Sequence, residues 1–285
     1  MESFSVKPAA GQSTRCCLGA CVITDAERYT SIAERIDPAS AVELINHYFG
    51  KLFRPVFDNG GFISDVKGDG VLAVWADAAP AAELRARACR ACLEMADSVA
   101  HFQAGPGSGL STRIGASFGP IALATVGALA HYEYRAVGDT VNVSSRLQEL
   151  NKLLGTRILV SAALVEELDE FLFRDLGEFE LRGKRNRVRV RELVARRAEA
   201  SAQQLRLCAE FAAASAAQRH GRWDEAYARL RELCARHPED GPSRLQLHRC
   251  RAAVDERRDL AEAILGPMLI PGATGLDWPL ASTEG

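Results

Sequence analysis

Lys67-Gly68-Asp69-Gly70 is the feature that most restricts the fold. It is a Gly-flanked turn between two β-rich runs, residues 61–66 and 71–75, and that pattern predicts an antiparallel hairpin. The hairpin sits between two stretches of helical period. Before it, Asp37-Pro38-Ala39-Ser40 is a helix-start signal. Val42, Leu44, Ile45, Tyr48, Phe49, Leu52 and Phe53 then recur on one face until Asp58-Asn59-Gly60-Gly61 breaks the run. After it, residues 79–102 read as a second long helix.

The remaining elements follow by the same reading. Residues 18–24 are a buried strand ending at Asp25, and residues 111–118 are a strand leading into Gly119-Pro120 and a small-residue stretch that ends at Gly127. A helix over 139–153, a strand over 157–161 and a short helix over 162–168 come next. A last hairpin joins 178–181 to 187–193 through Arg182-Gly183-Lys184-Arg185. Strands and helices mix without strict alternation, so an α+β fold is expected rather than a doubly wound sheet.

Residues 1–14 read as a flexible lead-in, and after about Val194 the pattern turns wholly helical. Within 198–265, Gly221-Arg222-Trp223-Asp224-Glu225-Ala226 and His237-Pro238-Glu239-Asp240 resemble one tetratricopeptide-like helix pair. A lone unit cannot bury its own face, so it is expected to pack on the first domain or on a partner chain. Residues 266–285 are expected to be irregular.

Composition mainly excludes. A net charge of −2 over 285 residues offers no basic surface for nucleic acid. No apolar run reaches the ~20 residues of a spanning helix, and Met1 to Ser13 lacks the apolar core of a signal peptide. The chain as given is expected to be cytoplasmic, with the alternative left open that it is the cytosolic part of a membrane-bound protein. The eight cysteines read as reduced core residues, since Cys89 and Cys92 have no second pair or nearby His to complete a zinc set.

Four segments carry chemistry together: Thr24-Asp25-Ala26-Glu27-Arg28-Tyr29-Thr30-Ser31 after a buried strand, Lys67-Gly68-Asp69-Gly70 at the hairpin tip, Val137-Gly138-Asp139-Thr140-Val141-Asn142-Val143-Ser144-Ser145-Arg146 opening a helix, and Leu181-Arg182-Gly183-Lys184. Singly, each has a plain structural explanation as a cap, a turn or a solvated helix contact. In this order and spacing, over about residues 15–195, they resemble the class III adenylate/guanylate cyclase catalytic domain. His131-Tyr132-Glu133-Tyr134-Arg135-Ala136-Val137-Gly138-Asp139, followed by Leu150-Asn151-Lys152-Leu153-Leu154-Gly155-Thr156, is similar to bacterial adenylate cyclases that carry a CHASE-type sensor.

The resemblance implies a ferredoxin-like-derived fold with a C-terminal helical extension, and a head-to-tail homodimer with nucleoside triphosphate sites in its interface. It implies that Asp25 and Asp69 hold two Mg²⁺ ions, with Mn²⁺ able to substitute. Hard carboxylate oxygens suit such ions, which keep several waters. From the opposite subunit, Asn142 matches the family's ribose-orienting Asn and Arg146 its transition-state Arg, and Arg182 falls where the family has a triphosphate-binding Lys. The helical extension would meet a sensor domain or partner protein.

At the base-reading positions this chain departs from the family. Where many adenylate cyclases have Lys and then Asp or Thr, it has Asp65 and Arg135. Asp65 could accept from the adenine amino group while Arg135 donates to N1; guanine and cytosine edges fit the same pair. Alternatively, Asp65 and Arg135 bridge each other across the interface and backbone groups read the base. The expected activity is that of an adenylate cyclase, with a guanylate or other nucleotidyl cyclase, or a degenerate nucleotide-binding homologue, as alternatives. A protein-interaction module built on the extension is the rival from another class.

Overall fold

The computed structural model describes residues 14–100, 102, 110–128, 131–181 and 187–265. It opens with β1 (Arg15–Glu27), an inner strand whose residues 19–22 are all buried. A short helix α1 (Tyr29–Ala33) leads into α2 (Pro38–Asp58). Asp37 caps α2 by accepting from the amides of Ala39 and Ser40 at 3.0 and 3.1 Å, with Pro38 in the first turn where its missing N–H costs nothing. The hairpin β2 (Phe62–Lys67) and β3 (Gly70–Trp75) follows, then α3 (Ala81–Ala100). The long strand β4 (Ser111–Ala128) turns back as β5 (His131–Val137), and α4 (Asp139–Leu154) leads to β6 (Ile158–Ser161). β7 (Phe171–Phe179) and β8 (Val188–Arg196) complete the sheet. Three helices end the described chain: α5 (Ala202–Arg219), α6 (Trp223–Arg236) and α7 (Gly241–Leu265).

The strands form one mixed sheet in the order β2-β3-β1-β4-β6-β8-β7, with β5 pairing β4 beyond the span held by β6. Only β4 and β6 run parallel; the other pairs are antiparallel. With the helices packed around this sheet, the fold is α+β. On one face, α2 and α3 bury Tyr48, Leu52, Met95 and Trp75 against Ala20, Val22 and Ile114. Each large side chain sealed there is worth about 1.5–3 kcal/mol. The cysteines of α3 belong to this core, and burial raises the Cys89 and Cys92 thiols, which keeps them inert. All eight cysteines are free, although Cys16 is exposed.

On the other face, α4 lies directly on β1 and β4. A Cβ at Gly115 would stand 2.1 Å from the Ser144 carbonyl oxygen and 2.2 Å from the Gln148 nitrogen, so only glycine admits the helix at this distance. Ser144 Oγ donates to the Cys21 carbonyl at 2.8 Å, and Asn151 Nδ2 donates to that of Ile114 at 2.9 Å. The helix thus runs along β1 and fixes which of its faces looks away from the sheet.

Several elements differ from the sequence expectations. β1 continues past Asp25 to Glu27, and the small-residue stretch through Gly119-Pro120 is strand, because β1 and then β5 supply partners along β4. The short helix over 162–168 reduces to a 3-10 turn at Ala162–Leu164, since Glu167 adopts a φ of 59° and Val165 and Leu168 turn into the core. The last hairpin is longer and starts earlier, at Phe171. Helices α5 to α7 pack on the β7–β8 end through Phe211 and Leu233, which join Leu154, Leu176 and Phe179 in one apolar cluster. No described helix is long and apolar enough to cross a membrane.

Candidate active site

The two carboxylates expected to hold metal come together at the end of β1. Gly68, at a φ of 61°, makes the tight turn that places Asp69 at the hairpin tip. The Ala26 amide donates to Asp69 Oδ2 at 3.2 Å, and the Val71 amide donates to Thr24 Oγ1 at 3.2 Å, so the hairpin is tied to β1 on both sides of Asp25. Burial, and then the charge of Asp69, push the Asp25 carboxyl above the usual carboxylate range, while Arg113 and Lys152 pull it back. Arg113 lies on β4 opposite Asp25, with Nη1 3.8 Å from Asp25 Oδ2 and Nη2 3.7 Å from Glu27 Oε1. Behind them the buried Tyr48 hydroxyl pairs with Thr112 Oγ1 at 2.9 Å.

A carboxyl that burial and a neighbouring carboxylate make costly to ionise, as at Asp25, gains from a cation held between the two, so the pair is a donor set suited to a hard divalent ion. Among the described residues no group of three or more His, Cys, Asp or Glu is placed to hold a metal. Two carboxylates nevertheless fit Mg²⁺, which uses one or two and completes its shell with water and substrate oxygens.

The second set of residues lies elsewhere on the chain. Thr140, Val143, Ser144, Leu147, Gln148 and Asn151 form the buried face of α4. Asn142 and Arg146, one turn apart, look the other way. Asn142 is exposed, and its side chain has no partner among the described residues. Arg146 Nη1 is held by Glu149, at 2.6 Å from Oε1 and 2.8 Å from Oε2. No hydrogen bond or ion pair among the described residues joins these two side chains to Asp25 or Asp69.

Asp65 and Arg135 do meet, with Arg135 Nη2 at 3.0 Å from Asp65 Oδ1. The mutual bridge of the alternative reading is thus made, here within one chain. β5 comes round beside β2, where the Ala136 amide donates to Ser64 Oγ at 2.9 Å. The same Nη2 stands 2.6 Å from Glu133 Oε2. Arg182 lies outside the described residues.

Sequence reasoning gave no role to three charged residues here: Arg113, Lys152 and Glu133. A signal existed for each. Arg113 is a charge directly before the core run Ile114-Gly115-Ala116, Lys152 closes the helix that opens at Asp139, and Glu133 shares a strand face with Arg135 at i, i+2.

Residues 16–192 match the family model described as the adenylate and guanylate cyclase catalytic domain. The chain belongs to this family. Adenylate cyclase 1 of Rhizobium meliloti is 34% identical over 180 residues, covering 61% of this chain and 27% of that protein. Adenylate cyclase 2 of the same organism is 33% identical over 171 residues, covering 58% of this chain and 47% of that protein. The chain therefore matches about a quarter and about half of these relatives' lengths. Among solved structures, the adenylyl cyclase CyaB from P. aeruginosa superposes with a TM-score of 0.57 at 20% identity, covering 67% of this chain and all of that one. The guanylate cyclase domain of RhGC from Catenaria anguillulae, in complex with GTP, gives 0.57 at 21% identity, covering 64% of this chain and all of that one. The architecture is that of the class III cyclase catalytic domain.

Proposed function

We propose that the chain is an adenylate cyclase that converts ATP to 3′,5′-cyclic AMP and pyrophosphate, acting as a homodimer whose sites each draw on both subunits. One observation carries this reading. Asp25 and Asp69 are fastened together at the end of β1, and Asp69 raises the Asp25 carboxyl, a charge arrangement that favours a bound cation. Two Mg²⁺ ions, or Mn²⁺ in their place, would be held by Asp25 and Asp69 and would neutralise the triphosphate and ease ionisation of the 3′-hydroxyl.

The chain's own residues bind and orient. Attack by the substrate's 3′-oxygen on the α-phosphorus forms the ring as the bridging bond to pyrophosphate breaks, so no protein nucleophile is needed. Arg146 offers a guanidinium to the charge that grows on the α-phosphate, Asn142 orients the ribose, and Arg182 meets the triphosphate. Asp65 accepts from the adenine amino group while Arg135 donates to N1. The outward placement of Asn142 and Arg146, unconnected to Asp25 and Asp69 in their own chain, supports their serving the site of a second copy. The adenylate cyclases that match at 33–34% identity support ATP as the substrate.

The test is turnover of each of the four nucleoside triphosphates with Mg²⁺ and with Mn²⁺, following cyclic nucleotide and pyrophosphate together. Equimolar cyclic AMP and pyrophosphate from ATP, at higher kcat/KM than any cyclic product from GTP, is expected. A preference for GTP would reassign the base, and absence of any cyclic product would overturn the reading.

A further inference from the structure

The described surroundings of Arg135 contain one carboxylate more than a base-reading pair requires. Arg135 Nη2 is shared between Glu133 Oε2 at 2.6 Å and Asp65 Oδ1 at 3.0 Å. Asp65 meets the guanidinium through that single nitrogen, and its Oδ2 takes no hydrogen bond among the described residues. Arg135 Nε is buried without a partner. A guanidinium beside one carboxylate ordinarily closes onto it through two parallel N–H···O bonds. Here that closure is not made, although Nε is left unpaired and Asp65 has an oxygen to give.

We propose that Glu133 is a positioning residue for base recognition: by holding Arg135 Nη2 it stops Arg135 from closing onto both oxygens of Asp65, and so keeps the Asp65 acceptor available to the base. This rests on the reading that Asp65 and Arg135 face the base. The geometry supplies the mechanism. Glu133 and Arg135 are two residues apart on β5 and so share a face, while Asp65 arrives from β2. The shorter contact is the ion pair to Glu133 on its own strand, while the hydrogen bond from the same nitrogen goes to Asp65 on the neighbouring one. Asp65 Oδ2 remains an acceptor, as a base edge that presents an amino group requires.

Removing the second carboxylate frees the guanidinium to satisfy Nε on Asp65 Oδ2. Glu133→Gln is therefore expected to weaken binding of 3′-deoxy-ATP, which lacks the attacking hydroxyl, by about tenfold, and to bring its ratio to 3′-deoxy-GTP towards one. Glu133→Asp, which keeps the charge, is expected to retain most of the wild-type ratio. In turnover the Glu133→Gln effect should fall on KM, with kcat changed less than about twofold, since the base edge is remote from the reacting phosphorus.

Calorimetric titration of the full chain with both analogues and Mg²⁺ decides this, because it reads binding even where turnover is low. If the wild type discriminates between the analogues and Glu133→Gln keeps both dissociation constants, the Glu133 proposal is overturned and the functional reading stands. If the wild type binds neither analogue, the base-reading assignment and this proposal fall together.

Discussion

The backbone amide of Ala26 donates to Asp69 Oδ2 across 3.2 Å, so the hairpin tip is fastened to β1 by a carboxylate proposed to hold metal. That bond orients one Asp69 oxygen before any ligand arrives, and it fixes Asp69 beside Asp25. Asp25→Ala and Asp69→Ala are each expected to lower turnover by roughly 10²-fold or more, because the triphosphate charge is then left without its ions. Asp69→Ala also loses a hydrogen bond worth about 1 kcal/mol, well short of unfolding the domain. Cyclic nucleotide formation measured alongside a melting curve checks both statements. Substantial Mg²⁺- or Mn²⁺-dependent turnover in either variant would sink the metal assignment.

The Asp25 carboxyl is raised by burial first and by Asp69 second. A carboxyl raised in the folded state counts against folding once it ionises, so its cost is fully present above the folded value and vanishes below the unfolded one, near ~4. Without divalent metal at pH 7, Asp25→Asn is therefore expected to melt about 1–2 °C above wild type. The gain should shrink on acidification. Saturating Mg²⁺ should reverse the order, since an ion bound only by the folded state stabilises wild type. An Asp25→Asn chain that melts below wild type in the presence of a chelator contradicts this account.

Asn142 and Arg146 face away from the sheet that carries Asp25 and Asp69. If each site takes its carboxylates from one subunit and its helix pair from the other, Asp69→Ala and Arg146→Ala damage different halves. Mixed together, two inactive preparations should regain up to about a quarter of wild-type activity, because random pairing makes half the dimers mixed and each mixed dimer has one intact site. Subunits that demonstrably exchange yet remain inactive would rule out the shared site.

How much of this was legible in the sequence depends on how local each cause is. The hairpin around Gly68 and Gly70 and the start of α2 at Asp37-Pro38 were readable because turn and cap chemistry reside in a few adjacent residues. The β4–β5 hairpin was not. Gly119, Pro120 and the small residues after them have weak strand preference, and their conformation comes from partners such as Leu18, opposite Pro120. The carboxylates Asp25 and Asp69 could be singled out through the family resemblance. Arg113 beside Asp25, by contrast, follows only from cross-strand register, and the Asp65–Arg135–Glu133 cluster only from β5 coming round to β2. Sheet register is a tertiary outcome that a single sequence does not display.

The extension is joined to the sheet by a buried charge cluster. Arg174 on β7 donates through Nε to Glu192 Oε2 at 2.7 Å and through Nη1 to Asp240 Oδ2 at 2.8 Å, and its guanidinium stacks 5.2 Å from the centre of the Phe211 ring. Asp240 also accepts from the Ser243 amide at 3.0 Å, in the first turn of α7. Asp240→Ala removes both bonds and is expected to cost about 2 kcal/mol, which lowers the melting temperature by roughly 5 °C. Turnover at low temperature should be unchanged, because no residue proposed for chemistry belongs to the cluster. A loss of kcat in the still-folded variant would show that the extension acts on the site.

The base pocket offers the most direct control over substrate. Asp65 and Arg135 pair within one chain at 3.0 Å, so exchanging them conserves the pair, whereas a single substitution leaves one charged partner unmatched. Asp65→Lys with Arg135→Asp places a donor on β2 and an acceptor on β5, the arrangement usual in the family's adenylate cyclases. Glu133 then faces a carboxylate instead of a guanidinium, but the trio still holds two carboxylates and one cation, so the local charge is unchanged. The double variant is expected to fold and to raise the ATP/GTP ratio of kcat/KM by about tenfold, with kcat on ATP altered much less, since these groups act on binding and orientation. Each single variant should instead lose efficiency on both nucleotides. Steady-state kinetics on wild type, both single variants and the double variant test this directly. An ATP/GTP ratio that stays at the wild-type value in the double variant would mean that Asp65 and Arg135 do not touch the base.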